Sequence, residues 1–179
     1  MEPEAVEMSQ FKVLKQSVAL ISLSRPPVNG LSVDVRRSVL NGVDRAVKEN
    51  LKAIVLTGDG SMFSGGSDIK EIARGAYFKS PTLTELTNAL DSCNIPVIAG
   101  KRFNHSCSVD ITIFYHIYML VLSPLPGMHG YALGGAMEVG LASHYRVAAK
   151  STKIGFPEVN LGLLSGMLFC SFHLWCFIG

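Results

Sequence analysis

The segment Asp34-Val-Arg-Arg-Ser-Val-Leu-Asn-Gly-Val-Asp-Arg-Ala-Val-Lys-Glu-Asn50, with the run Ala53-Ile-Val-Leu-Thr57 just beyond it, decides the fold class. In the first part Val35, Val39, Leu40, Val43 and Val47 recur at helical spacing with charged residues opposite them, which predicts an amphipathic helix. The second part is short, apolar and β-branched, and ends at Gly58-Asp59-Gly60, so it predicts a buried strand. Upstream, Phe11–Leu14 and Val18–Leu23 predict a hairpin, broken by the turn residues Ser24-Arg-Pro-Pro-Val-Asn-Gly30. Downstream, a short helix is expected to start near Asp68, a second to span Thr82–Cys93, and a strand to cover Ile95–Ala99. A further helix opens at Gly134-Gly135 and runs to about Ala142, followed by strands at Tyr145–Ala148 and Thr152–Ile154. Strands alternating with helices mark an α/β fold built on parallel βα units.

The length of 179 residues suits one core rather than two domains. A net charge of +2, with 17% charged residues, gives no basic face, so nucleic acid is not an expected partner. Hydrophobic content is 48% and mean hydropathy +0.31, and the excess is concentrated. Ile111–Met137 and Val159–Gly179 contain no Asp, Glu, Lys or Arg. Pro124, Pro126 and several glycines interrupt the first run, and the second lacks basic flanks, so neither is read as a membrane span. Cys93, Cys107, Cys170 and Cys176 lack metal-ligand spacing and the five histidines are scattered, so no metal is expected. The N-terminus Met1-Glu-Pro-Glu carries no secretory pattern, and the default setting is intracellular.

Chemistry is concentrated at two glycine-rich stretches and two glutamates. Gly134-Gly135 opens an apolar helix whose first N–H groups are left to face a developing negative charge, and Glu138 lies about one turn inside that helix. Glu158 lies twenty positions later, in Gly155-Phe-Pro-Glu-Val159. Two such carboxylates can hold a water between them, one taking its proton while the other supplies one. Spacing leaves open the plainer reading, a solvated helix glutamate and a turn glutamate. The second stretch, Phe63-Ser-Gly-Gly-Ser-Asp-Ile-Lys70, follows a strand and opens a helix with Asp68 as a natural N-cap. The two junctions can each supply an N–H to one oxygen, worth about 3 to 4 kcal/mol per donor to a thioester oxyanion or enolate. Phosphate-loop and dinucleotide patterns are absent.

Ser24-Arg-Pro-Pro-Val-Asn29, Phe63-Ser-Gly-Gly-Ser-Asp-Ile69, His129-Gly-Tyr-Ala-Leu-Gly-Gly-Ala-Met-Glu138 and Gly155-Phe-Pro-Glu-Val-Asn-Leu-Gly-Leu-Leu164 together resemble the crotonases, the enoyl-CoA hydratase/isomerase family. The likeness covers about residues 10–100 and 128–166 and is greatest to the hydratase half of peroxisomal bifunctional enzymes. It implies a crotonase-like spiral of ββα units that hydrates trans-2-enoyl-CoA in fatty-acid β-oxidation, with Δ3,Δ2-enoyl-CoA isomerisation as the alternative. It makes Glu138 and Glu158 the catalytic pair, Glu138 activating the water and Glu158 exchanging the proton at the α carbon, and it makes Gly65 and Gly135 the oxyanion-hole donors. Pro27, Val28, Gly30, Ser64, Ser67, Asp68, Ile69, Tyr131, Leu133, Gly134 and Pro157 are implied to border the acyl-CoA substrate. Coenzyme A is then part of the substrate and no separate cofactor is implied. Relatives imply homo-oligomers and a peroxisomal setting, although Phe177-Ile-Gly179 is not a peroxisomal address and a cytoplasmic setting is the alternative.

The pattern is interrupted twice. Residues 101–127 separate Pro96-Val-Ile-Ala-Gly100 from the His129 motif, which relatives join directly, and the likeness stops at Gly166. The expected organisation is therefore a hydratase-like domain at 8–166, incomplete at its C-terminus and interrupted by an apolar insertion at 101–127, with an unrelated apolar tail at 167–179. Gly100-Lys101 and Gly166-Met167 can be encoded by splice-donor sequences, and translated intron is one explanation of both segments; a membrane hairpin is another. An apolar insertion ahead of the helix bearing Gly135 implies weak or no activity. The non-enzyme alternative is an inactive, membrane-associated or misfolding fragment.

Overall fold

The computed structural model describes residues 9–14, 17–75, 78–100 and 128–161. The insertion at 101–127 and the tail at 167–179 lie outside these residues.

Strands β1 (Ser9–Leu14) and β2 (Val18–Leu23) form the expected antiparallel hairpin, with Phe11 opposite Ile21. Helix α1 (Val33–Lys48) begins where Ser32 accepts a hydrogen bond from the Val35 amide at 3.4 Å. Asp34 in its first turn and Arg45 and Lys48 in its last complement the helix dipole. The chain returns through β3 (Ala53–Gly58), buried along its whole length and parallel to β2 with Ile54 opposite Ala19. Helix α2 (Ile69–Ala73) is one short turn, and α3 (Leu83–Asp91) starts at a capping box in which Thr82 and Glu85 satisfy each other's amides. Strand β4 (Val97–Ala99) lies parallel to β3.

Past residue 127 come β5 (Tyr131–Leu133), α4 (Gly135–Ala142), β6 (Tyr145–Arg146), β7 (Lys153–Gly155) and a 3-10 turn (Pro157–Leu161). Among the described residues the main sheet has the order β1-β2-β3-β4-β6, parallel from β2 onward, and β5 and β7 pair in parallel as a second, two-stranded sheet. This is the α/β spiral expected, with two local differences. Strand β5 was not expected, being three residues long inside a glycine-rich stretch. Strand β6 ends at Arg146 rather than Ala148, which instead bridges Met128.

One face of the sheet supplies Ile21, Ile54, Leu56, Val97 and Ala99 to a core with Val35, Val39 and Val43 of α1, Leu83, Leu86 and Leu90 of α3, and Ala136 and Val139 of α4. Val18, Ala53, Val55 and Ile98, all buried, form a second, smaller cluster with Leu14 and Leu20 packed against it. Each buried Val, Leu or Ile contributes about 1.5 to 3 kcal/mol, so α3 and α4 are fixed mainly by this shared apolar layer. The amphipathic reading of α1 misplaces one residue. Arg36 lies on the buried face and is fully enclosed, its Nε donating to Pro81 O at 2.7 Å and Nη1 to Leu31 O at 2.6 Å.

Candidate functional site

The two glycine stretches meet because residues 63–64 run beside β5. Phe63 N donates to His129 O at 2.9 Å, Ser64 N to Tyr131 O at 3.1 Å and Leu133 N to Ser64 O at 3.2 Å. Gly66 completes the approach at φ 92, a left-handed conformation in which any side chain would collide with the Leu133 carbonyl. The Gly135 N then lies 3.3 Å from the place a Gly66 Cβ would take.

Helix α4 begins at Gly134, which has φ 53 and no side-chain cap. The Met137 and Glu138 amides return to Gly134 O at 2.8 and 3.2 Å, whereas the Gly135 N–H has no acceptor among the described residues. The partner expected for it, the Gly65 amide, is not available: it donates to Val28 O at 2.8 Å and ties the glycine stretch to the Pro27–Gly30 turn. The neighbouring amide is Ser67's. It lies 3.4 Å from the Cβ position of Gly135 and has no acceptor among the described residues. Gly65 is therefore corrected to a structural donor, and Ser67 and Gly135 are the neighbouring N–H groups left without an acceptor among the described residues.

Glu138 follows one turn into α4 and is only 6% exposed, which overturns its reading as a solvated helix glutamate. Burial, and after it the negative charge of Glu158, pushes its carboxyl above the usual 4.5. The 3-10 turn carries Glu158 back to the start of α4, where a side chain on Gly134 would come within 3.0 Å of Glu158 Cδ and 3.4 Å of its Oε2. The Gly134 amide donates to Gly155 O at 2.9 Å, which fixes this approach. Glu138 and Glu158 each keep an Oε2 that is buried and has no hydrogen-bond partner among the described residues. Such oxygens demand a donor, which protonation or a shared water supplies.

The remaining expected residues divide by role. Val28, Ile69 and Tyr131 are exposed apolar side chains, and Gly30, Leu133 and Pro157 lie on the segments that frame the glycine stretches. Ser64 cannot border a ligand. It is fully buried, its Oγ donating to Asn29 O at 2.6 Å and accepting from Gly66 N at 3.1 Å. Asp68 caps α2 through Lys70 N at 2.9 Å and is ion-paired to Arg25, so its carboxylate is occupied. Reading by pattern also missed Asn29, whose buried amide ties the turn together by donating to Asp59 O at 2.8 Å and Met62 O at 3.1 Å while its Oδ1 accepts from Arg25 N at 3.0 Å. It missed the Arg36–Glu71 pair as well, since a charged residue on an amphipathic helix is ordinarily assigned to solvent. No cluster of three His, Cys, Asp or Glu suited to a metal ion occurs among the described residues. No helix among them is long and apolar enough to cross a membrane.

The sequence and the fold are similar to those of known proteins. Residues 14–102 match the enoyl-CoA hydratase/isomerase family model. The chain is 34% identical over 158 residues to a peroxisomal bifunctional enzyme of Danio rerio, and 34% identical over 165 residues to a glyoxysomal fatty acid beta-oxidation multifunctional protein of Brassica napus. These alignments cover 88% and 87% of this chain but 18% and 19% of the relatives, so the chain spans about a fifth of the length of each. An enoyl-CoA hydratase from Thermoplasma volcanium has the same fold at a TM-score of 0.67, with 24% identity, over 88% of this chain and 54% of that one. The shared fold, the family match across β2 to β4 and the likeness to bifunctional enzymes through the glutamate segments agree: the chain belongs to the enoyl-CoA hydratase/isomerase family, the crotonases.

Proposed function

We propose that the chain adds water to a trans-2-enoyl-CoA thioester, slowly, at the site formed by Glu138, Glu158 and the Ser67 and Gly135 amides. The observation that carries this reading is the approach of the Glu158 carboxylate to the start of the helix that buries Glu138, with both acids keeping an unsatisfied buried oxygen. The thioester oxygen would accept from the Ser67 and Gly135 N–H groups, which favour the enolate over the ground-state carbonyl. Glu138, its carboxyl raised above 4.5 by burial and then by the charge of Glu158, is the acid proposed to exchange a proton with water. As the water oxygen bonds to C3, Glu138 takes the water's proton, and the electron pair of the double bond moves onto the thioester oxygen and returns as C2 receives the proton that Glu158 carries. The proton on Glu138 then passes to Glu158, so both acids are restored. One water is consumed and no redox partner is required.

Val28, Ile69 and Tyr131 are the apolar side chains proposed to meet the acyl-CoA. Coenzyme A enters and leaves as part of the substrate. The largely apolar insertion ahead of Met128 is the reason to propose a rate below that of relatives, since displacements of about 1 Å at such donors cost roughly a hundredfold. The likeness to peroxisomal and glyoxysomal enzymes supports a role in fatty-acid β-oxidation in such a compartment. Incubation of the full chain with crotonyl-CoA tests the reading. It expects loss of the conjugated thioester absorbance and a 3-hydroxyacyl-CoA product one water heavier, and the absence of that product counts against it.

A further inference from the structure

Helix α2 buries none of its own side chains, and Ile69 is 67% exposed, so apolar packing does not hold it beside the site. Polar contacts do. The Glu71 carboxylate accepts from the Val33 amide at 2.9 and 3.1 Å and faces Arg36 Nη1 at 3.5 Å. The same Nη1 donates to Leu31 O at 2.6 Å, and Leu31 is the parallel bridge partner of Ser67, its N donating to Gly66 O at 2.8 Å. On its other side Arg36 Nε donates to Pro81 O at 2.7 Å. Two residues on, Leu83 Cδ2 lies 2.9 Å from the Cβ position of Gly135. One enclosed guanidinium thus ties together the segments that carry both site amides.

We infer that Arg36, with Glu71, is a positioning residue that sets the separation of the Ser67 and Gly135 amides, an inference that rests on the thioester reading of that site. Arginine suits the task because its planar fork offers several donors in fixed directions, whereas lysine provides a single mobile ammonium. A buried ion pair of this kind adds little net stability over an apolar pair of similar volume, so the role assigned to it is geometric rather than a contribution to folding energy.

The test uses the full chain and an Arg36→Met/Glu71→Gln double variant, which removes both charges together. Three readouts are compared: the ¹⁵N amide resonances of Ser67 and Gly135 against Thr57 in β3, the red shift of a bound dimethylaminocinnamoyl-CoA chromophore, and kcat against KM for crotonyl-CoA. A positioning role expects both site amides to move while Thr57 stays, the red shift to vanish, and kcat to fall about tenfold or more with KM within about twofold. If the double variant fails to fold, Glu71→Gln alone decides. It is expected to move Ser67 and leave Gly135, whose link to Arg36 runs through Pro81. Unmoved Ser67 and Gly135 resonances in a folded double variant, or an unmoved Ser67 in Glu71→Gln, overturn the inference. A wild-type chain that gives no red shift and no turnover instead contradicts the thioester reading, and the amide resonances still decide the assignment of Arg36.

Discussion

The Glu158 carboxylate is seated against Gly134, the residue that caps the helix bearing Glu138, so closely that a methyl group there would come 3.0 Å from Glu158 Cδ. The two acids are therefore coupled through one backbone position. Gly134 also holds φ 53, a conformation that L side chains rarely adopt.

Gly134→Ala is expected to destabilise the chain by about 1 to 3 kcal/mol through backbone strain alone, and to displace Glu158 besides. Urea unfolding of variant and parent measures the first effect. A variant of unchanged stability would mean that the helix opens by another route.

Glu138 gives the stability of the chain a defined pH dependence. Its carboxyl is held above 4.5, first by burial and then by the charge of Glu158. Below 4.5 both folded and unfolded states carry the proton and there is no penalty. As pH rises from 4.5 through the folded value, the buried charge costs stability. Glu138→Gln should be the more stable chain by a margin that grows across that window and then levels off, and Glu158→Gln should narrow the window from above. Denaturation at a series of pH values checks this, and a margin independent of pH would contradict it.

Asp68 has the opposite sign. Burial pushes its carboxyl up, but the hydrogen bond from Arg25, the Lys70 amide and the Arg25 charge outweigh burial and hold it below 3.8. Its contribution is present above 3.8 and is lost as pH falls through the folded value. Asp68→Asn should therefore be less stable than the parent at neutral pH, with the difference closing in acid. A difference that persists below the folded value would assign the loss to the N-cap alone.

The proposed roles of the two acids predict that hydration and isomerisation separate at Glu138. With Glu138→Ala, water addition should fall by about a hundredfold or more while proton transfer between C2 and C4 of a 3-enoyl-CoA continues through Glu158. Parallel assays with crotonyl-CoA and a 3-enoyl-CoA measure the two, and equal loss of both would favour a shared role for the acids.

Much of this organisation was legible in the sequence because it is local. The period of Val35, Val39 and Val43 marks α1, the unbroken run at 53–57 marks β3, and Thr82 with Glu85 announces the start of α3. Glu138, Glu158 and Gly135 were named from motif likeness and lie together at the opening of α4. What escaped notice depends on contacts between distant segments. The Gly65 amide is taken by Val28, thirty-seven positions earlier, and nothing in a glycine pair tells which of its amides will be spent on the fold. Arg36 looked solvated because its partners, Pro81 and Glu71, lie far along the chain. Strand β5 is too short to have a period and exists because residues 64 and 153–155 flank it.

The most direct test is crotonyl-CoA hydration by the full chain beside Glu138→Gln, Glu158→Gln and the double variant. If the two acids act on one water and one thioester as proposed, each single change should lower kcat by about a hundredfold or more, and the double should be little worse than the poorer single. Hydration at the parent rate by either single variant, or a parent rate no greater than that of the double, would contradict the account.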